Sequence, residues 1–277
     1  MKKVIALLMA VLMMGVIFAG CASSGNTGSD TAATPDSADT ADDSDLAYVM
    51  NKGTLVVGIT DFEPMDYKDA NGEWIGFDAD MARAFAKTLG VEVEFVEIDW
   101  DNKVLELDGK TVDCIWNGMT LTDEVKSAMS TSDPYCNNAQ VVIVKKDVAD
   151  QYADAEACKA LTNFAVESGS AGQGQAEEYG FKFTEVKDQA TALMEVASGT
   201  CDAAIIDSLM AAAMVGEGTS YADLVYTASL NSEEYGVGFR TGSDITAEFN
   251  TFLAGAVADG TVDKIAETYG VQAALIK

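Results

Sequence analysis

From residue 46 onward the apolar positions alternate between the two repeats that helices and strands require. Leu55-Val56-Val57-Gly58-Ile59 is a continuous apolar run of buried-strand length. Asp78 is placed to N-cap a helix in which Met81, Phe85 and Leu89 recur every four residues, and Gly90 stops it. Val91, Val93 and Phe95 then alternate with Glu92 and Glu94, the pattern of a strand with one wet face. Val112 to Trp116 and Val141 to Val144 predict two more strands. Phe164-Ala165-Val166 leads into Gly169, Asp188 opens a helix carrying Leu193 and Val196, and Ala203-Ala204-Ile205-Ile206 ends at Asp207. Two amphipathic helices close the chain, one around Phe249, Phe252, Leu253 and Val257, the other around Val262, Ile265 and Tyr269. Strands alternating with helices predict an α/β fold with mostly parallel sheets. In such sheets ligands sit beyond the carboxyl ends of the strands, where Phe62, Asn117, Ser170 and Asp207 fall. No internal repeat is present.

The first 45 residues follow other patterns. Lys2 and Lys3 precede an unbroken apolar run from Val4 to Phe18. That run is shorter than the ~20 apolar residues of a membrane-spanning helix, and its order is that of a secretory leader over residues 1–20. Phe18-Ala19-Gly20-Cys21 resembles the lipobox of bacterial lipoproteins, with Phe18 in place of the usual Leu. The resemblance implies that Cys21 becomes the first residue of the mature chain and carries lipid. Residues 21–45 then form the lipidated Cys and an acidic tether. Its Asp30, Asp36, Asp39, Asp42, Asp43 and Asp45 repel one another, no Lys or Arg opposes them, and little in it can offset the entropy of ordering.

Composition narrows the function classes. The 277 residues carry 45 Asp and Glu against 17 Lys and Arg, a formal charge of −28. Phosphate binding needs a basic surface, so nucleic acid is excluded as a partner, as is docking on an anionic membrane through a polybasic patch. The chain has no His. That removes the commonest metal ligand and the commonest general base, and no metal or cofactor is expected.

Several segments then read together: Gly53-Thr54-Leu55-Val56-Val57-Gly58, Phe62-Glu63-Pro64-Met65, Gly76-Phe77-Asp78-Ala79-Asp80, Asn117-Gly118-Met119-Thr120 and Ser132-Asp133-Pro134-Tyr135. In this order and spacing they resemble the amino-acid-binding branch of the family 3 extracellular solute-binding proteins of ABC importers. The resemblance implies a two-lobed type II periplasmic-binding fold. Each lobe is a mixed, mostly parallel sheet flanked by helices, and two crossover strands join the lobes. Lobe 1 is then residues 46–137 plus 233–277 and lobe 2 residues 138–232. The implied role is a lipid-anchored monomer on the outer face of the cytoplasmic membrane that closes on a small ligand and hands it to ABC permease subunits.

A free amino acid presents an ammonium, a carboxylate and a side chain, and a buried site must answer each charge. By the resemblance Asp207 takes the ammonium, although a lone Asp after an apolar strand can also cap the next helix. Phe62 and Trp100 sandwich the side chain, and Asp61 stands beside them. Trp116 is equally a core or a cleft residue. Asn117, Gly118 and Thr120 match the segment that binds the carboxylate, joined by Ser170 at a helix N-terminus, a natural anion site. The family usually has an Arg five residues after that Thr, a bidentate carboxylate clamp. Here the position is Val125 and Lys126 follows. Lys is a point charge without the planar fork, and one residue along a helix turns it by ~100°.

Two ligand classes therefore stay open. One is an α-amino acid whose carboxylate rests on Thr120, Ser170 and backbone N–H groups, with Lys126 at longer range. The other is an amine held by Asp207 and stacked on Phe62 and Trp100. The surviving Asn117-Gly118-x-Thr120 frame and the Ser170 loop favour the first. Sensing of the same ligand is a second function class. A third is enzymatic, because dehydratases share this fold, and it would draw on Asp61 and Glu63 as acid and base. Cys158 and Cys201 precede strands that are neighbours in the family fold, which implies a disulfide between them, whereas Cys114 and Cys136 are expected to be free.

Overall fold

A computed structural model describes residues 44–276, so the leader, Cys21 and the tether up to residue 43 lie outside the described residues. The described part begins with a helix, α1 (Asp45–Lys52), whose N-cap Ser44 accepts a hydrogen bond from the Ala47 amide at 2.9 Å. Asp45 thus opens the first helix instead of ending the tether. Its carboxylate is buried and receives both approaches of Arg240 Nε, at 3.0 and 2.9 Å.

The chain continues through β1 (Thr54–Ile59), a small hairpin β2 (Tyr67–Lys68) and β3 (Trp74–Ile75), α2 (Phe77–Leu89), β4 (Glu92–Glu97), α3 (Lys103–Asp108), β5 (Cys114–Thr120), α4 (Asp123–Ala128), β6 (Ser130–Thr131) and β7 (Cys136–Asn138). It then crosses into β8 (Gln140–Lys145), α5 (Ala155–Cys158), β9 (Phe164–Glu167), α6 (Ala171–Tyr179), β10 (Phe183–Val186), α7 (Gln189–Ser198), β11 (Ala203–Asp207), α8 (Ser208–Met214) and β12 (Leu224–Ser229). It returns through β13 (Glu233–Phe239) to α9 (Ile245–Ala258) and α10 (Thr261–Tyr269). The result is two lobes with a sheet each. The first has strand order β4-β1-β5-β13-β6 with β7 also on β13, and the second has order β10-β9-β11-β8-β12. The pairs β1–β4, β1–β5, β9–β10 and β9–β11 are parallel, while β8, β12 and β13 run antiparallel to their neighbours. The chain passes between the sheets at residues 138–140 and again at residues 229–233. No helix among the described residues is long and apolar enough to cross a membrane.

Burial follows the alternation within each strand. Leu55, Val57, Ile59, Trp116 and Phe239 face α2 and α9, where Phe249 meets the Trp116 ring edge-to-face at 4.9 Å and the Phe85 ring at 5.3 Å. Trp116 is therefore a core residue. Ile98, Leu107, Val112 and Ile115 fill the opposite face.

Three expectations are corrected. Asp78 does not cap α2: Gly76 holds the N-cap position, and Asp78 lies buried in the first turn. Its Oδ2 accepts from the Gly118 amide at 2.6 Å and from Tyr135 OH at 2.8 Å. This one carboxyl ties the Gly-Phe-Asp, Asn-Gly-x-Thr and Ser-Asp-Pro-Tyr segments together. Burial pushes it up to about 7, against the opposing pull of those two hydrogen bonds. Second, β5 runs on to Thr120, because β13 pairs with it antiparallel through Tyr235 and Gly236. Third, Cys158 and Cys201 are free thiols, as are Cys114 and Cys136. Cys158 packs with Phe164, Val166 and Ile205, and Cys201 packs with Ala165, Ala204 and Ile206. Successive strand residues face opposite ways, so the two thiols sit on opposite faces of one sheet and cannot meet.

Candidate binding cleft

A cavity of about 580 Å³ lies between the lobes. Lobe 1 lines it with Phe62 just after β1, Trp100 on a single 3₁₀ turn, Lys103 at the start of α3, Asn117 to Thr120 on β5, and Val125 on α4. Lobe 2 contributes Glu167 at the end of β9, Gly169 and Ser170 before α6, Gln189 at the start of α7 and Asp207 at the end of β11. Asn231 and Glu233 come from the second crossing. Most of these positions are carboxyl ends of strands or helix starts, as an α/β sheet edge dictates.

Of the residues singled out in the sequence, Phe62, Trp100, Asn117, Gly118, Thr120, Ser170 and Asp207 are brought together here. Phe62 and Trp100 are buried. Gly118 has φ +55°, and a Cβ there would stand 2.4 Å from Phe62 Cε1, so only glycine lets the ring lie against β5. The Asn117 side chain is tied to Thr60, accepting from its amide at 3.0 Å and donating to its hydroxyl at 2.8 Å. It fixes the turn that carries Phe62. Ser170 caps α6 by accepting from the Gln173 amide at 3.1 Å.

Asp61 and Lys126 are the exceptions: both are exposed and off the lining. Val125 takes the buried, cleft-facing place on α4, and the next residue is turned away by the helical repeat. Glu63, the other half of the acid–base pair, is off the lining too. The two arginines are engaged elsewhere. Arg83 Nη1 binds Asp80 at 3.0 Å, and Arg240 Nη1 donates to the Leu107 and Val112 carbonyls at 3.2 and 2.8 Å.

Asp207 does not cap α8 with its side chain. Its Oδ1 accepts from Tyr235 OH at 2.6 Å, from Gln140 Nε2 at 3.0 Å and from Asn138 Nδ2, while Oδ2 accepts from Gln189 Nε2. Glu233 Oε1 accepts from the same two amides, Asn138 at 2.6 Å and Gln140 at 2.8 Å, and from Thr120 Oγ1 at 2.9 Å. The first crossing thus supplies two amides held between two carboxylates. Burial, and then the charge of Glu233, push Asp207 up to about 7. Glu167 is pushed up to about 8, by burial first and then by Asp207 and Asp188. Lys103 answers with the one basic side chain on the lining. Its ammonium donates to the carbonyls of Trp100 at 3.2 Å and Gly169 at 2.8 Å, the latter across the cleft. Burial pulls it below the usual lysine range. The lobes also meet where a Cβ on Gly169 would stand 2.7 Å from Asp101 Cα, and where Lys187 pairs with Glu97.

Lys103, Glu167, Gln189 and Glu233 escaped the sequence reading. Glu167 carries the same signal as Asp207, an acid directly after an apolar strand run, and was legible. Lys103 and Glu233 look like ordinary surface charges until the lobes bring them together.

A sequence profile described as bacterial extracellular solute-binding proteins, family 3, matches residues 55–272. The chain is 30% identical over 221 residues to the arginine-binding extracellular protein ArtP of Bacillus subtilis, covering 77% of this chain and 85% of that one. It is 28% identical over 240 residues to the L-cystine-binding protein TcyJ of Escherichia coli K12, covering 83% and 87%. Among solved structures, the ancestral amino acid-binding protein AncCDT-1, a precursor of cyclohexadienyl dehydratase, superposes with a TM-score of 0.75 at 36% identity, covering 82% of this chain and 99% of that one.

Proposed function

The chain belongs to the bacterial extracellular solute-binding proteins, family 3, and on that premise we propose that it is the lipid-anchored, substrate-binding component of an ABC importer for a small polar amino acid. The observation that carries this reading is the pairing of buried Asp207 with Glu233 at the crossing between the lobes, facing the first turn of α6 across one cavity. A zwitterion fits that arrangement. Its ammonium goes to Asp207. Its carboxylate goes to the α6 N-terminus and Thr120, and to Lys103 in place of the arginine that Val125 removes. Two N–H groups of Lys103 are engaged, which leaves one for the carboxylate. Phe62 and Trp100 enclose the side chain. The relatives' names support an amino acid but point to different side chains, arginine and cystine.

The test is mass spectrometry of the ligand released on denaturing natively purified protein, followed by thermal-shift titration of that ligand. At 100 times Kd, binding raises stability by about 2.7 kcal/mol. Asp207→Ala should abolish the shift; equal binding by that variant would refute the site. Anchoring rests on Cys21, and Cys21→Ala expressed in the native host should leave the membrane or stay unprocessed. If it remains membrane-bound and processed, the lipoprotein reading fails.

A further inference from the structure

Glu167 has no assignment in that reading. It is 3% exposed, it lines the cavity, and its Oε1 has no hydrogen-bond partner. Lys103, the one basic residue on the lining, forms no ion pair with it, because that ammonium is directed to the Trp100 and Gly169 carbonyls. Eight Asp and Glu line the cavity against this single Lys. A buried polar group without a partner is destabilising, and more so when charged. A neutral amino acid answers Asp207 with its ammonium and leaves Glu167 as it was. A ligand with a second cationic group answers both.

We propose that the cleft selects amino acids with a basic side chain, and that Glu167 is the specificity residue receiving the side-chain cation. The inference rests on the cleft between the lobes being the ligand site. Glu167 is suited to the role by its place. It ends β9, the parallel neighbour of β11, which ends in Asp207, and both residues line the cavity. Among the described residues no Lys or Arg forms a salt bridge with it, and ion pairing with a ligand cation in a dry cleft is stronger than in water.

Isothermal titration of the ligand-free mature protein tests this. The probes are arginine, lysine and ornithine, the neutral glutamine, the acidic glutamate, and the decarboxylated amines agmatine and cadaverine. Basic amino acids are expected to bind at least tenfold more tightly than glutamine. Glu167→Gln should weaken them at least tenfold, leave glutamine within threefold, and be no less stable to urea than the parent. Glu167→Asp, which keeps the charge, should retain part of the preference. Glutamine or glutamate matching the best basic ligand in the parent would overturn the proposal and leave the amino-acid reading intact. An unchanged ratio in Glu167→Gln would also overturn it. Binding of the amines alone would overturn the proposed selection of amino acids and remove the carboxylate from the reading. Binding of none of these probes would overturn the proposal, and the released-ligand measurement would then decide the amino-acid reading.

Discussion

Glu167 also sets a pH dependence of the empty protein that can be worked from its surroundings. In the unfolded chain it titrates near 4.5; in the fold, burial, Asp207 and Asp188 push it up to about 8. Between those values the folded protein holds a proton that the unfolded chain has lost. Unfolding then releases protons, so stability falls as pH rises through this window. At about 1.4 kcal/mol per pH unit, the gap amounts to at most about 5 kcal/mol. Below pH 4.5 the group is neutral in both states and contributes nothing. Glu167→Gln keeps the shape and removes the charge. Urea denaturation of ligand-free protein from pH 4 to 9 should give curves that coincide at the acid end and diverge upward, the variant being the more stable by pH 8. Asp207 and Asp78, each pushed up to about 7, produce a decline in both proteins, so the difference between the curves reports Glu167 together with its coupling to Asp207. Parallel curves, or a parent more stable than the variant at pH 8, would refute the reasoning.

Other perturbations have equally definite outcomes. Arg240→Ala leaves the buried carboxylate of Asp45 with only the 3.9 Å pair to Lys110 and removes the donor of two carbonyls, and should lower the unfolding free energy by about 3 kcal/mol in urea titrations. Asp113 keeps Lys52 at 2.6 Å, so it does not become a second unpaired carboxylate. Gly118→Ala forces Phe62 off β5 and places alanine at φ +55°; calorimetry should show ligand affinity falling more than tenfold. The Lys187–Glu97 pair joins the lobes but is partly exposed, so Lys187→Ala should weaken binding only about two- to fivefold at low salt. That effect should vanish in ~0.5 M salt, and the charge swap Glu97→Lys with Lys187→Glu should restore affinity.

The strands and helices that lay the cleft's edge were legible because local periodicity records which face of each element meets apolar neighbours. The runs at 55–59, 141–144, 164–166 and 203–206 became β1, β8, β9 and β11. Gly90 closed α2 and Asp188 capped α7 with its own side chain, accepting from the Thr191 amide at 2.7 Å. Phe62, Trp100 and Asp207 reached the cleft because each ends a strand or follows one at its carboxyl end. Other features depended on partners far along the chain. Asp78 looks like a helix cap in its own neighbourhood, yet it bonds to Gly118 and Tyr135, 40 and 57 residues away. The end of β5 was set by β13, and the thiols of Cys158 and Cys201 were kept apart by sheet parity. Lys126 was expected near the ligand and Lys103 was not; the turn of α4 removed the first, and the approach of the lobes enclosed the second. A run of apolar residues determines what it will bury, whereas the partner of a charge is whatever the tertiary fold places opposite it.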